Sequence, residues 1–203
     1  EAEQKKFLKG PVSAGTWRGK IYGVPCYLAA GLFYYRKDLL EKYHMAPPGT
    51  WFEMIQQGEV ILREEKDPGL NIYSAQFKQY EGLVCNMLEF LRSNGGDILD
   101  RNTGRVLLDR PPALEAIGFV RDRIIGNAAP RGVVTYEEPE SLSLFTEGKA
   151  VFHRNWPYAW AVADDPRKSA ISGKVGVGFL PAFKGHHHAA TLGGWHFGIN
   201  TFS

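Results

Sequence analysis

The sequence predicts an α/β protein built around a mixed sheet. Two observations carry that prediction. Strand-like and helix-like segments alternate along the chain, which neither a bundle nor a sandwich would do. Four of the helical segments carry clear boundary signals. A chain of 203 residues with 44% hydrophobic and 23% charged residues also has the apolar content to bury a core and is not disordered.

The elements follow in order. "GKIYGVPCYLAAGLFYYRKDLL" reads as a strand from Ile21, a break near Pro25, a second strand through Gly31–Tyr35 and a short helix from Lys37. In "PPGTWFEMIQQGEVILREE", two prolines stop what precedes. Thr50 and Glu53 have capping-box spacing, and Trp51, Ile55 and Leu62 give one apolar face. "NIYSAQF" is strand-like. "GLVCNMLEFLRSNGG" places Val84, Met87, Leu88 and Leu91 at helical spacing, ended by Gly95–Gly96. "GRVLLD" reads as a short strand. "RPPALEAIGFVRDRIIGN" has prolines where a helix tolerates them, with Ala113, Ile117, Val120 and Ile124 on one face and Gly126 after it. "EEPESLSLFTEGK" is a helix stopped by Gly148, and "AVFHR", "GKVGVGFLPAF" and "ATLGGWHFGIN" are strands.

Composition excludes several classes of function. Basic and acidic residues number 24 and 22, and no Lys/Arg run occurs, so a dedicated nucleic-acid surface is not expected. No stretch approaches the roughly 20 apolar residues of a membrane span. Cys26 and Cys85 form no C-x-x-C; two buried thiols are expected, with a disulfide left open. His186, His187 and His188 are consecutive, so side chains on a strand would alternate away from a shared metal, and a solvated loop is expected. Asp97, Asp100 and Asn102 lack the calcium-loop pattern, and Asp164–Asp165 read as a solvated helix end. No G-x-S-x-G, H-E-x-x-H or Walker sequence is present, and no cofactor is expected.

Aromatic residues make up 13% of the chain, and "VFHRNWPYAW" concentrates two tryptophans and a tyrosine within ten residues. So many polar-tipped aromatics suit neither a core strand nor an ordinary loop. A flat ligand such as a sugar ring would use them, because its C–H face packs on an aromatic face.

Taken in order, "GKIYGVP", "LFYYRKDLLEKY", "PPGTWFEM", "FLRSNGGDILD", "FTEGKAVFHRNWPYAW", "GKVGVGFLPAF" and "ATLGGWHFGIN" resemble family 1 extracellular solute-binding proteins. These are the maltose-binding-protein-like receptors of bacterial ABC importers. The likeness is to the trehalose/maltose-type branch and runs from about Trp17 to Ser203. No single motif is decisive, but seven in collinear order are specific.

The resemblance implies a type II periplasmic-binding-protein-like fold with two lobes, a strand hinge and ligand in the cleft. On that pattern residues 1–27 are the tail of a first-lobe segment and the hinge. Residues 28–192 are the second, ligand-binding lobe, and residues 193–203 are a hinge strand returning to the first lobe. The chain, opening on Glu1 and closing on an apolar run, reads as part of a longer protein. The implied ligand contacts are Trp156, Trp195, Tyr80, Tyr27, Tyr158 and Gly194, with Pro157 fixing the turn that presents Trp156. Ala29 stands where many sugar-binding members carry a carboxylate.

The implied function is reversible carbohydrate binding, of a di- or oligosaccharide, for an ABC importer. The implied partners are membrane permease subunits and the location is periplasmic or extracellular, membrane-associated. Self-association through exposed hinge strands is a further expectation. A glycoside hydrolase is the alternative from another class. It needs two carboxyl groups about 5–10 Å apart, and Glu81, beside Tyr80, is the acid that sequence proximity offers.

Overall fold

The computed structural model describes residues 6–202; the first five residues and Ser203 of the outer segments lie outside the described residues. The chain divides into two compact units. One joins the chain up to Ala30 with the chain from Leu192 onward, and the other is Gly31–Thr191.

The first unit opens with a short helix, α1 (Lys9–Ala14), and a two-residue hairpin of β1 (Thr16–Trp17) and β2 (Lys20–Ile21). Arg18 and Gly19 at its tip both have positive φ (47° and 75°), the backbone a tight hairpin requires. Then β3 (Val24–Ala30) pairs antiparallel with β8 (Leu192–Phe197). The break expected near Pro25 is a bulge inside β3, not its end. Register shifts between Pro25 and Tyr27, so Cys26 is the extra residue. Proline is tolerated there because, among the described residues, the β3–β8 ribbon has two strands and both are edges.

The second unit is built on a four-stranded sheet in the order β5-β6-β4-β7, from β4 (Leu32–Arg36), β5 (Asn71–Ser74), β6 (Ala150–Asn155) and β7 (Val175–Gly178). β4 is antiparallel to both its neighbours, while β5 and β6 run parallel, so the sheet is mixed. All six residues of β6 are buried, as befits a central strand. Phe33 and Tyr34 alternate across β4 into two separate apolar clusters. The first cluster is covered by α3 (Trp51–Glu65), α4 (Glu81–Arg92) and α5 (Pro111–Phe119). The second is covered by α6 (Glu138–Thr146) and α7 (Tyr158–Ala163), and the short α2 (Lys37–Lys42) follows β4.

Local signals account for most of these boundaries. The α3 capping box forms as spaced: the Glu53 N–H donates to Thr50 Oγ1 and the Thr50 N–H to Glu53 Oε2. Trp51 at its first turn is fully buried, stacks on Phe90 at 4.1 Å and donates its indole N–H to Ser93. Removing such a ring costs about 3–5 kcal/mol. Gly126 and Gly148 take positive φ (76° and 80°) where α5 with its following turn, and α6, end.

Four expectations need correction. "GRVLLD" makes one isolated bridge, Leu99 to Val106, instead of a strand. Val84 is exposed; the buried face of α4 carries Cys85, Asn86 and Glu89 alongside Phe90 and Leu91, because polar partners wait for it inside. Ile117 is likewise exposed, and after Phe119 the chain widens into a π-type turn over Val120–Ile124. Both cysteines are free, and Cys26 is exposed in its bulge while Cys85 is buried.

Candidate functional site

The motif "HRNWPY" leaves the sheet at the end of β6. His153, Arg154 and Asn155 are fully buried, while Trp156 is half-buried and Pro157 and Tyr158 are exposed. Side chains and backbone together hold the turn. The Trp156 N–H donates to Asn155 Oδ1, and the Trp156 carbonyl accepts from the Tyr34 hydroxyl and the Ala159 N–H. The indole is therefore presented from a rigid strand end, not a loose loop.

Trp156 and Tyr80 meet through a residue that sequence proximity did not nominate. Glu138, in the first turn of α6, accepts the indole N–H on Oε1 (2.9 Å) and the Tyr80 hydroxyl on Oε2 (2.7 Å). Tyr80 is the N-cap residue of α4 and makes no side-chain cap bond, so its ring is free for this role. Gly82 makes room for it: a Cβ there would lie 2.1 Å from the Tyr80 hydroxyl. Burial and the Glu138 bond both push the Tyr80 hydroxyl well above its ordinary range, so it remains a donor. Tyr158 starts α7, where burial, then the Glu138 charge, raises its hydroxyl pKa while Asn155 opposes.

Beneath the ring lies a buried ion pair. The Arg154 guanidinium sits 4.1 Å from the Trp156 ring centroid. It binds Glu89 through two parallel bonds, Nε to Oε2 at 2.8 Å and Nη2 to Oε1 at 2.6 Å, with Nη1 donating to Gln76 at 3.2 Å. Burial works against the Arg154 charge, and Glu89 more than offsets it, holding the guanidinium above its ordinary value. Glu89 also accepts the Thr191 N–H (3.1 Å), and Gly31 donates its N–H to the Thr191 carbonyl. The pair thus supports the indole and ties down both ends of this unit.

In the first unit, Tyr27 and Trp195 are direct cross-strand partners, and both rings are exposed. Gly194 faces Leu28, and a Cβ on it would lie 2.3 Å from the Tyr27 carbonyl oxygen. That close approach of the two strands gives this glycine a structural reason of its own. Ala29 pairs with Gly193.

Several other titratable groups have local partners. Glu81 accepts from the Cys85 thiol at 2.8 Å, and burial, then this bond, pushes that thiol up to about 12. Asp100 accepts the Asn102 and Thr103 N–H groups in a turn, Asp164 the Gly173 N–H, and Asp165 pairs with Arg167. His188 bonds the Leu180 carbonyl and stacks on Phe179. Among the described residues no cluster of three or more His, Cys, Asp or Glu could hold a metal ion. None of the described helices is long and apolar enough to cross a membrane.

Helices on both faces of a mixed sheet, with a second unit formed by both outer parts of the chain, define a lobe of the type II periplasmic-binding-protein class. A solved structure described as maltose-bound MalE3 of T. maritima is 43% identical, with a TM-score of 0.88 over all of this chain and 52% of that one. A solute-binding protein of Agrobacterium radiobacter, solved with ribitol, is 23% identical with a TM-score of 0.84 and shares the fold, over 98% of this chain and 49% of its own. A "Probable ABC transporter-binding protein" of Deinococcus radiodurans is 40% identical over 100% of this chain and 48% of its own length. The chain thus spans about half the length of these relatives. Residues 2–203 match the family model described as bacterial extracellular solute-binding protein, and the chain belongs to that family.

Proposed function

We propose that this chain forms part of the substrate-binding component of an ABC importer and reversibly binds a carbohydrate, a di- or oligosaccharide, without turning it over. The observation that carries the reading is the fixed indole of Trp156, held at its edge by Glu138 and beneath by Arg154. A half-buried aromatic locked in this way offers a sugar ring a pre-set face at little entropic cost. Tyr80 and Tyr158 border it, and in the other unit the exposed Tyr27–Trp195 pair above Gly194 offers a second aromatic surface of the same chemistry. The maltose of the T. maritima relative supports the substrate class. Permease subunits are the implied partners, at the membrane in a periplasmic or extracellular setting.

The reading is favoured over a glycoside hydrolase by the family match, and Glu81, the acid that sequence proximity offers, spends its carboxylate on the Cys85 thiol in its own helix. Titration with maltose, followed by tryptophan fluorescence or calorimetry, tests it. Trp156→Ala should weaken binding by about 1–3 kcal/mol with the fold retained, and aryl glycosides should not be hydrolysed. Unchanged affinity in Trp156→Ala ends the stacking role.

A further inference from the structure

We propose that Glu138 is a ligand-contacting, specificity-determining residue: its carboxylate accepts hydrogen bonds from the hydroxyls of a neutral saccharide seated on Trp156 and turns away saccharides that carry negative charge. The proposal rests on the sugar-binding reading above. A carboxylate offers about four lone-pair directions. The Trp156 indole and the Tyr80 hydroxyl take one on each oxygen, leaving acceptor capacity at the edge of the aromatic surface. Glu138, Trp156 and Tyr80 are all half-buried, so this edge is reachable from solvent.

Both of its donors are neutral. The buried cation nearest the indole, Arg154, directs its bonds to Glu89 and Gln76, and Lys78 pairs with the neighbouring Glu137. Among the described residues no Lys or Arg forms an ion pair with Glu138, so it meets an incoming ligand as an uncompensated anion. Charge-assisted bonds from hydroxyls are then favoured, and a carboxylate or phosphate on the ligand is repelled.

The test is titration of the ¹⁵N-labelled protein, following the Trp156 indole N–H resonance, which reports the Glu138 bond directly. The probes are maltose and two acidic analogues: maltose 1-phosphate, and the disaccharide with glucuronate as its non-reducing ring. Maltose should perturb the resonance and bind at least ~10-fold tighter than either analogue. Glu138→Gln keeps the shape and one acceptor for the indole; it should lose about 10-fold for maltose and most of the discrimination against the analogues. Glu138→Asp keeps the charge and should weaken maltose while still rejecting both.

If Glu138→Gln binds maltose as tightly and discriminates as sharply as the parent, Glu138 only holds the aromatics and the proposal is overturned, with the sugar site intact. If maltose leaves the Trp156 resonance unmoved in the parent protein, the sugar-binding reading fails and this proposal with it.

Discussion

The Arg154 guanidinium lies 4.1 Å from the ring centroid of Trp156, and Glu89 grips that guanidinium with two parallel hydrogen bonds. The aromatic surface is therefore only as well placed as the buried ion pair it rests on.

Truncating one member of the pair leaves the other charged and unpartnered in the core. Glu89→Ala should destabilise the protein by about 3–5 kcal/mol, and replacing Glu89 and Arg154 together by Met should cost far less. Denaturant unfolding of the two variants checks this; equal losses would show that the pair's charges are solvated.

Gly31 is a glycine because of the same pair. A Cβ at this position would stand 2.1 Å from Glu89 Oε1 and 2.8 Å from an Arg154 nitrogen. Both atoms are pinned by bidentate bonding and cannot retreat. Gly31→Ala should cost about 2–3 kcal/mol, as overpacking does, and in the Glu89→Ala background most of that cost should vanish. A thermal-melt double-mutant cycle measures the coupling.

Gly82→Ala should act on the site more than on the fold. Its methyl group would stand 2.1 Å from Tyr80 Oη and 2.3 Å from Cζ and would displace the ring. Alanine suits a helix better than glycine by up to about 1 kcal/mol, so the melting temperature should hold. The Tyr80–Glu138 bond should be lost and maltose affinity should fall by roughly 3-fold or more. A melting temperature that drops steeply would place Gly82 in the core packing instead.

His153 makes stability fall in mild acid. It is fully buried, and burial, then the nearby Arg154 charge, lowers its pKa to about 3, with Ser74 opposing. Its bonds to Ser74 and from the Asn155 amide satisfy the neutral ring with the proton on Nδ1. A folded pKa depressed below the unfolded value means that the unfolded chain takes up the proton first. The stabilisation is complete above about pH 6.5 and is lost as pH falls towards 3, about 2 kcal/mol of it by pH 5. His153→Gln should be less stable at pH 7 but lose less between pH 7 and pH 5, as urea melts at the two values would show.

The first unit should self-associate. Trp17, Tyr22, Tyr27, Trp195 and Phe197 are all exposed, and among the described residues β3 and β8 pair only with each other. Such edges recruit a second copy. Light scattering at micromolar concentration should give a mass above 22.7 kDa that rises with concentration; a constant monomer mass would show these rings to be tolerated in water.

The sequence by itself determined what is decided within a few residues or by periodicity. The Thr50–Glu53 capping box, the glycine stops at Gly126 and Gly148, the extended run of β6 and the Asn155–Trp156 hydrogen bond of the "NWPY" turn all depend on near neighbours. The α/β class followed from their alternation, and the collinear motifs gave the family. Tertiary structure decided the polar heart of the site. Glu138 meets Trp156 across 18 positions and Tyr80 across 58, and Arg154 meets Glu89 across 65. In sequence, Glu138 is one of several acids at a helix start, where the macrodipole alone would explain it, and Glu89 looks like a surface residue of α4. A hydrogen bond between distant segments leaves no periodicity behind, because its geometry exists only once the sheet has brought β6, α4 and α6 together.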